Sequence, residues 1–442
     1  MRTLTLFFIW AAALVSTPAA LALDSRANIE RAVELIEAGQ HALARAYLEP
    51  ALIDPRIGPG ERSRAYYLRG YSFFAQQLFV SAVKDYNYAL EFHPGNPVVQ
   101  TALAQMHLEG LGVPASPRLA VMLLEEAAEA GHDPARMRLG IAYLRGTGVP
   151  KDIAAARHWL GVSAEDGSAP AMTYLAQSYR DPFTDQPDPA EARRWLTRAA
   201  AGGEADALAY LGFMTEAGEG GDADAAAALD YFQRAAAGGS AVAQAKLGHA
   251  YLTGAGVEED PARALALFQQ AAEQGHPTGF MGLAYLYETG TEVEESRERA
   301  LAWYERAALA GQVDAQLRLA YDGLRQNDLA GQQQASRWLA RAAAQNHPQA
   351  LNDYAWLLAT SPFDGVRNGQ QALTLALQAV DRRRVPAYLD TLAAAYAETG
   401  KFQQAVETQR EALALVPEGN AELAAELETH LAAFEAGKPW RE

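Results

Sequence analysis

The stretch SAVAQAKLGHAYLTGAGVEEDPARALALFQQAAEQG, Ser240 to Gly275, decides how the chain is read, because sliding it by 36 residues in either direction lands on relatives of itself. Its closing glycine recurs at Gly131, Gly167, Gly203, Gly239, Gly275 and Gly311. A fixed period of this length marks an array of stacked supersecondary units in place of one globular core.

Within the unit, Leu247, Gly248 and Tyr251 stand at i, i+1 and i+4, which puts a small close-packing residue beside two apolar ones on a helix face. The helix stops at Thr253 to Val257, where Gly254 and Gly256 tolerate positive φ. A second helix is announced by Asp260 as N-cap and Pro261 at the first helical position. The cap position reads Ser116, Asp152, Asp188, Asp224, Asp260 and Ser296 along the repeat. Ala264, Phe268, Ala271 and Ala272 form its inner stripe, and Gly275 ends it. Each unit is therefore expected to be an antiparallel helix pair, with Gly248 at a close contact where the first helix of one unit meets the neighbouring unit.

These residues resemble the Sel1-like repeat, a branch of the tetratricopeptide superfamily. The resemblance is carried by Leu-Gly-x-Ala-Tyr (Leu139 to Tyr143, Leu247 to Tyr251) and by Gly-x-Gly-Val (Gly110 to Val113, Gly146 to Val149, Gly254 to Val257). The second-helix aromatic (Trp159, Trp195, Trp303, Trp338) and the Ala-Ala-x-x-Gly ending complete it. It covers 98–346 as seven units. Asp181 to Pro187 replaces the glycine loop of the third, and the seventh lacks both loop and final glycine, with Asn346 in that place. The resemblance implies an all-α right-handed superhelix, a solenoid of about ten to eleven helix pairs.

Residues 1–22 read as a signal peptide: Arg2, the apolar run Leu4 to Val15, and the small-residue site Ala20-Leu21-Ala22. Export to the periplasm is the expectation, with secretion as the alternative and no membrane span after signal removal. There is no cysteine, hence no disulfide. Half of the residues are hydrophobic, too many for disorder. The formal charge of −17, which loss of Arg2 takes to −18, opposes nucleic acid as a partner. Residues 24–97 read as two tetratricopeptide-like pairs, Asn28 to Pro55 with Pro50 inside its second helix, then Ala65 to Pro94 with Tyr66, Gly70, Phe73, Ala82, Tyr86, Ala89 and Pro94 at that family's spacing. Residues 347–419 read as C-terminal repeats of the same kind: Leu351 to Pro362 with Asn368 to Val380, then Leu389, Leu392, Tyr396, Ala405, Ala412 and Pro417. Gln409 stands where the family has a large apolar residue. Residues 420–442 read as a capping helix and a tail, Gly437 to Glu442.

No chemistry emerges from the motifs. Three of the nine histidines, His132, His276 and His347, share one slot after a repeat boundary, and no His-Glu-x-x-His pair is present. The Gly-x-Gly-Val turns follow helices and not strands, and neither a Gly-x-Ser-x-Gly elbow nor a Walker loop occurs. Catalytic, cofactor and metal residues are thus expected to be absent. What the resemblance implies instead is a concave surface lined by the first helix of each pair. The residue after the first-helix Gly/Ala reads Gln105, Ile141, Gln177, Phe213, His249, Tyr285 and Tyr321. Phe213, His249, Tyr285 and Tyr321 are candidate partner-binding rings for a protein or peptide segment, or for a polysaccharide. Two readings of that column stay open, a ligand ladder and rings packed on the next helix. Two functions do as well: a non-catalytic protein-binding scaffold of the cell envelope, and an envelope polysaccharide or cell-wall processing enzyme or its accessory subunit.

Overall fold

The computed structural model describes residues 24–181, 184 and 187–442, so the signal segment and much of the unusual third loop lie outside the described residues. Among the described residues there are 23 helices and no strand. The chain divides into two compact units, 1–223 and 224–442.

The first unit holds five antiparallel pairs and one more helix. Its pairs are α1 (Ser25–Glu37) with α2 (His41–Ile53), α3 (Pro59–Ala75) with α4 (Phe79–Phe92), and α5 (Pro97–Glu109) with α6 (Pro117–Glu129). Then come α7 (Asp133–Arg145) with α8 (Ile153–Glu165), α9 (Ala169–Arg180) with α10 (Pro189–Ala201), and α11 (Ala205–Ala217). The second unit starts with α12 (Ala225–Ala237) and continues with α13 (Ala241–Thr253) and α14 (Pro261–Glu273), then α15 (Pro277–Thr289) and α16 (Arg297–Leu309). It is completed by α17 (Val313–Leu324) with α18 (Leu329–Ala344), α19 (Pro348–Thr360) with α20 (Gly369–Arg382), α21 (Pro386–Glu398) with α22 (Phe402–Ala414), and α23 (Ala421–Glu435). Within each unit a pair packs on the next, which is how a chain of short amphipathic helices buries its apolar stripes without a central core.

The repeat columns do the work their chemistry assigns. The closing glycines from Gly131 to Gly311 all take φ between 78° and 100°, and Asn346 fills the same left-handed position in the seventh unit at φ 59°. The caps of Asp152, Asp188, Asp224, Asp260 and Ser296 accept from the backbone N–H three residues on, whereas the Ser116 hydroxyl makes no such bond. Loops are also tied back to their first helices: Asp152 N–H donates to Tyr143 O at 3.0 Å and Asp260 N–H to Tyr251 O at 2.8 Å. The third unit closes in the same way, Asp188 N–H to Tyr179 O at 2.8 Å, although its loop sequence differs. In the sixth unit Glu292 stands where four other units place the second loop glycine, Gly112, Gly148, Gly220 and Gly256, and it keeps that left-handed backbone, with φ 59°.

Packing inside the repeat hinges on paired small and large residues. Ala264, Phe268, Ala271 and Ala272 are the buried residues of α14, as the stripe predicts. Gly248 faces its own second helix, where a Cβ would lie 2.8 Å from Phe268 Cε1, so the close contact is within the pair and not with the neighbouring unit. The neighbour reaches the same ring from the other side, since a Cβ on Gly282 of α15 would lie 2.4 Å from Phe268 Cδ1.

The chain's last module is held by polar groups as well as apolar ones. Gln409 is fully buried, and its Nε2 donates to Asp390 Oδ1 at 2.7 Å and to Leu427 O at 3.0 Å, which joins α21, α22 and α23. Beyond α23 the tail folds back on α19 and α21: Glu442 N–H donates to Thr360 O at 3.0 Å and Arg441 pairs with Glu398 at 2.6 Å.

Candidate partner-binding surface

The first helices carry a cavity in each unit, and each cavity contains a member of the seven-residue column. In the first unit, Tyr67, Tyr71 and Phe74 of α3, Tyr86 of α4, and Thr101 and Gln105 of α5 line a space of about 270 Å³. Burial raises the Tyr67 and Tyr86 phenols above their ordinary range, so these rings act as neutral apolar walls. His132 also lines it, its Nδ1 2.9 Å from Thr101 Oγ1, and burial pushes its pKa down toward the neutral imidazole.

In the second unit, α17, α19, α21 and α23, with Gln332 of α18, surround a larger cavity of about 670 Å³. Tyr321 comes from α17, Gln349, Asn352, Asp353 and Trp356 from α19, Asp390 and Thr391 from α21, and Glu426 from α23. Asp353 is the hub of the wall. Its Oδ2 accepts from Tyr321 Oη at 2.6 Å, and its Oδ1 accepts from Gln349 Nε2 at 2.7 Å and Asn352 Nδ2 at 3.2 Å. Burial first, and then the bond to this carboxylate, raise the Tyr321 phenol well above its ordinary range. Asp390 is held in turn by His430, whose Nδ1 lies 2.8 Å from Asp390 Oδ1 and whose ring has Trp356 and Trp440 with centroids 5.6 and 4.5 Å away. Burial works against a charged His430, but Asp390, Glu426 and Glu442 together outweigh it and raise its pKa.

The four rings singled out by the column have unequal settings. Tyr321 lines the cavity with its hydroxyl engaged, while Tyr285 on α15 is 47% exposed and His249 on α13 is exposed. In the first unit Phe213 is half-buried, its ring 6.4 Å from Tyr210. None of the four belongs to the buried core. Sequence reasoning did not single out Asn352, Asp353, Trp356, Asp390 or Glu426. A signal was there: Asn352, Asp353 and Trp356 interrupt the apolar run LNDYAWLL at i, i+1 and i+4, a polar-aromatic patch on one side of a helix. Among the described residues no cluster of three His, Asp or Glu is placed to hold a metal, and no helix is long and apolar enough to cross a membrane.

Stacked antiparallel helix pairs with cavities along their first helices define a helical-repeat protein of the kind that binds other proteins. The Sel1 repeat model matches at 97–132, 133–168, 169–204, 205–240, 241–276, 280–312 and 313–347, more than half of the sequence, and the chain belongs to the Sel1 repeat family. Among solved structures it is similar to a protective antigen of uropathogenic Escherichia coli strains with an SLR fold, at 25% identity over 94% of this chain and 90% of that one, TM-score 0.48. It is also similar to a Sel1 repeat protein from Oxalobacter formigenes, at 28% identity over 55% of this chain and 96% of that one, TM-score 0.43. Among curated proteins none matches the chain.

Proposed function

We propose that the chain is an exported, non-catalytic scaffold of the cell envelope, acting in the periplasm, whose first-helix surface holds a segment of a partner protein. The observation that carries the reading is the cavity lined mainly by α17, α19, α21 and α23, which is open to the surface and of a size to hold a peptide segment. Its carboxylates support a binding role: Asp353 is held by three neutral donors, and Asp390 by Gln409 and His430. The exposed rings of His249 and Tyr285 extend the same helix position away from the cavity. Export rests on Arg2, Leu4 to Val15 and the Ala20-x-Ala22 site.

A photo-crosslinking side chain at position 285, compared with one at the exposed Glu305 on a second helix, tests this in the native envelope. One reproducible protein adduct from position 285 and none from 305, on a chain whose mass begins near Leu23, is the expected result. Adducts of equal yield from both positions, or a full-length cytoplasmic chain, would count against it.

A further inference from the structure

The cavity of α17, α19, α21 and α23 has a charge pattern that its own chain completes only in part: His430 faces Asp390, Glu426 and Glu442, while Asp353 faces no cation. Asp353, Asp390, Glu426 and Glu442 line it, and no lysine or arginine does. Around Asp353 the described residues supply only neutral donors, and no ion pair to it is formed. A second feature points the same way. Asn352 is 8% exposed and its Nδ2 donates to Asp353, but its Oδ1 is buried without a hydrogen-bond partner. A buried amide oxygen left unpaired is costly, and the cost is removed by a donor arriving from outside. A cation that carries several N–H donors would satisfy the Asn352 oxygen and the Asp353 carboxylate together.

We propose that this cavity receives an arginine side chain presented by an extended basic segment of the partner protein. The inference rests on the scaffold reading above and names the chemistry of its partner. Arginine fits better than lysine because its planar fork can donate to Asn352 Oδ1 and to a carboxylate at once, while its flat face lies on an aromatic ring such as Trp356 or Tyr321. At about 670 Å³ the space falls in the range of ligand pockets, roughly 300–1,000 Å³, and so holds a short segment and not a lone ion. The opposing reading, a metal ion, fails on donor geometry, since no three acidic or histidine side chains converge among the described residues.

The test is calorimetric titration of the full chain with three octapeptides of alternating glycine and arginine, lysine or citrulline. The arginine peptide is expected to bind at least threefold more tightly than the lysine one, and the uncharged citrulline peptide not measurably. Asp353→Asn with Glu426→Gln should weaken the arginine peptide at least tenfold while helix content is unchanged, and the rim change Glu426→Lys should act in the same direction without touching a buried group. Because the whole chain is acidic, Glu258→Gln with Glu259→Gln, exposed and remote from the cavity, is the control, expected to change binding less than twofold. Equal losses in the two pairs would show diffuse attraction and overturn the site, as would citrulline and arginine peptides binding alike. A native partner captured equally by wild type and Asp353→Asn/Glu426→Gln would also overturn it and leave the scaffold standing. Absence of any adduct from position 285 would instead remove the scaffold without altering the peptide result.

Discussion

Phe268 shows how finely one side chain is accommodated in this repeat. Its ring lies between Gly248 of its own pair and Gly282 of the next, at separations where a Cβ would stand 2.8 and 2.4 Å from ring carbons. Introducing Gly282→Ala gains about 0.5–1 kcal/mol of helix propensity but overpacks the ring, a cost of roughly 1–3 kcal/mol. The overlap is with ring carbons and not with the end of a flexible chain, so the net effect is expected to be destabilising by about 1 kcal/mol or more. Trimming the ring should restore room: denaturant unfolding of Gly282→Ala, Phe268→Leu and the double variant should give a favourable coupling of about 1 kcal/mol. Strictly additive losses would mean that Phe268 is not the obstacle. At this scale Gly248 is legible from sequence as a close contact, but the sequence reading sets it against the neighbouring unit, whereas it meets Phe268 of its own pair. Helix periodicity says which residues face inward, and it does not say which of two neighbouring helices they meet.

The module from α19 to α23 shows what element-level patterns miss. The family's spacing located its helices, and Gln409 stood out as a polar residue at an apolar position. Its reason lies 19 and 18 residues away in the chain, at Asp390 and Leu427 O, where no local pattern reaches. The same network gives the module a pH response. His430 meets Asp390 from α21, Glu426 from its own helix, Glu442 from the tail, and the neutral Trp356 from α19, and these carboxylates raise its pKa above the ordinary value of 6.5. A group bound more tightly to its proton in the folded state stabilises that state below its unfolded pKa. The stabilisation is full below about pH 6.5 and is lost as pH rises through the raised folded value. Between pH 6 and 9, wild-type denaturant midpoints should therefore decline relative to those of His430→Gln, in which no imidazole titrates. Parallel curves for the two proteins would show that His430 does not titrate against this cluster.

For the whole molecule, the 36-residue register and its caps made the helical-pair architecture readable, because a solenoid writes each fold decision once per repeat. The cavity was less readable for the complementary reason: its walls come from five helices and the tail, at different points in a sequence that no longer keeps the register. The aromatic column was seen, but exposure separates its members, with Tyr285 open and Tyr321 bonded to Asp353. The architecture carries a further consequence, since stability in an array is close to a sum of repeat terms and nearest-neighbour terms. Damage at one joint should then stay near it. In Gly282→Ala the strained joint is α14 against α15, so hydrogen exchange should accelerate in α13 to α16, through local opening at lowered free energy. Amides of α19 to α23, which share no packing with Phe268 and rest on their own core of Leu351, Leu389, Leu392 and Phe434, should keep wild-type rates. Exchange that quickened by the same factor from α13 to α23 would mean that the second unit unfolds as one cooperative body, and the additive picture of its repeats would fall.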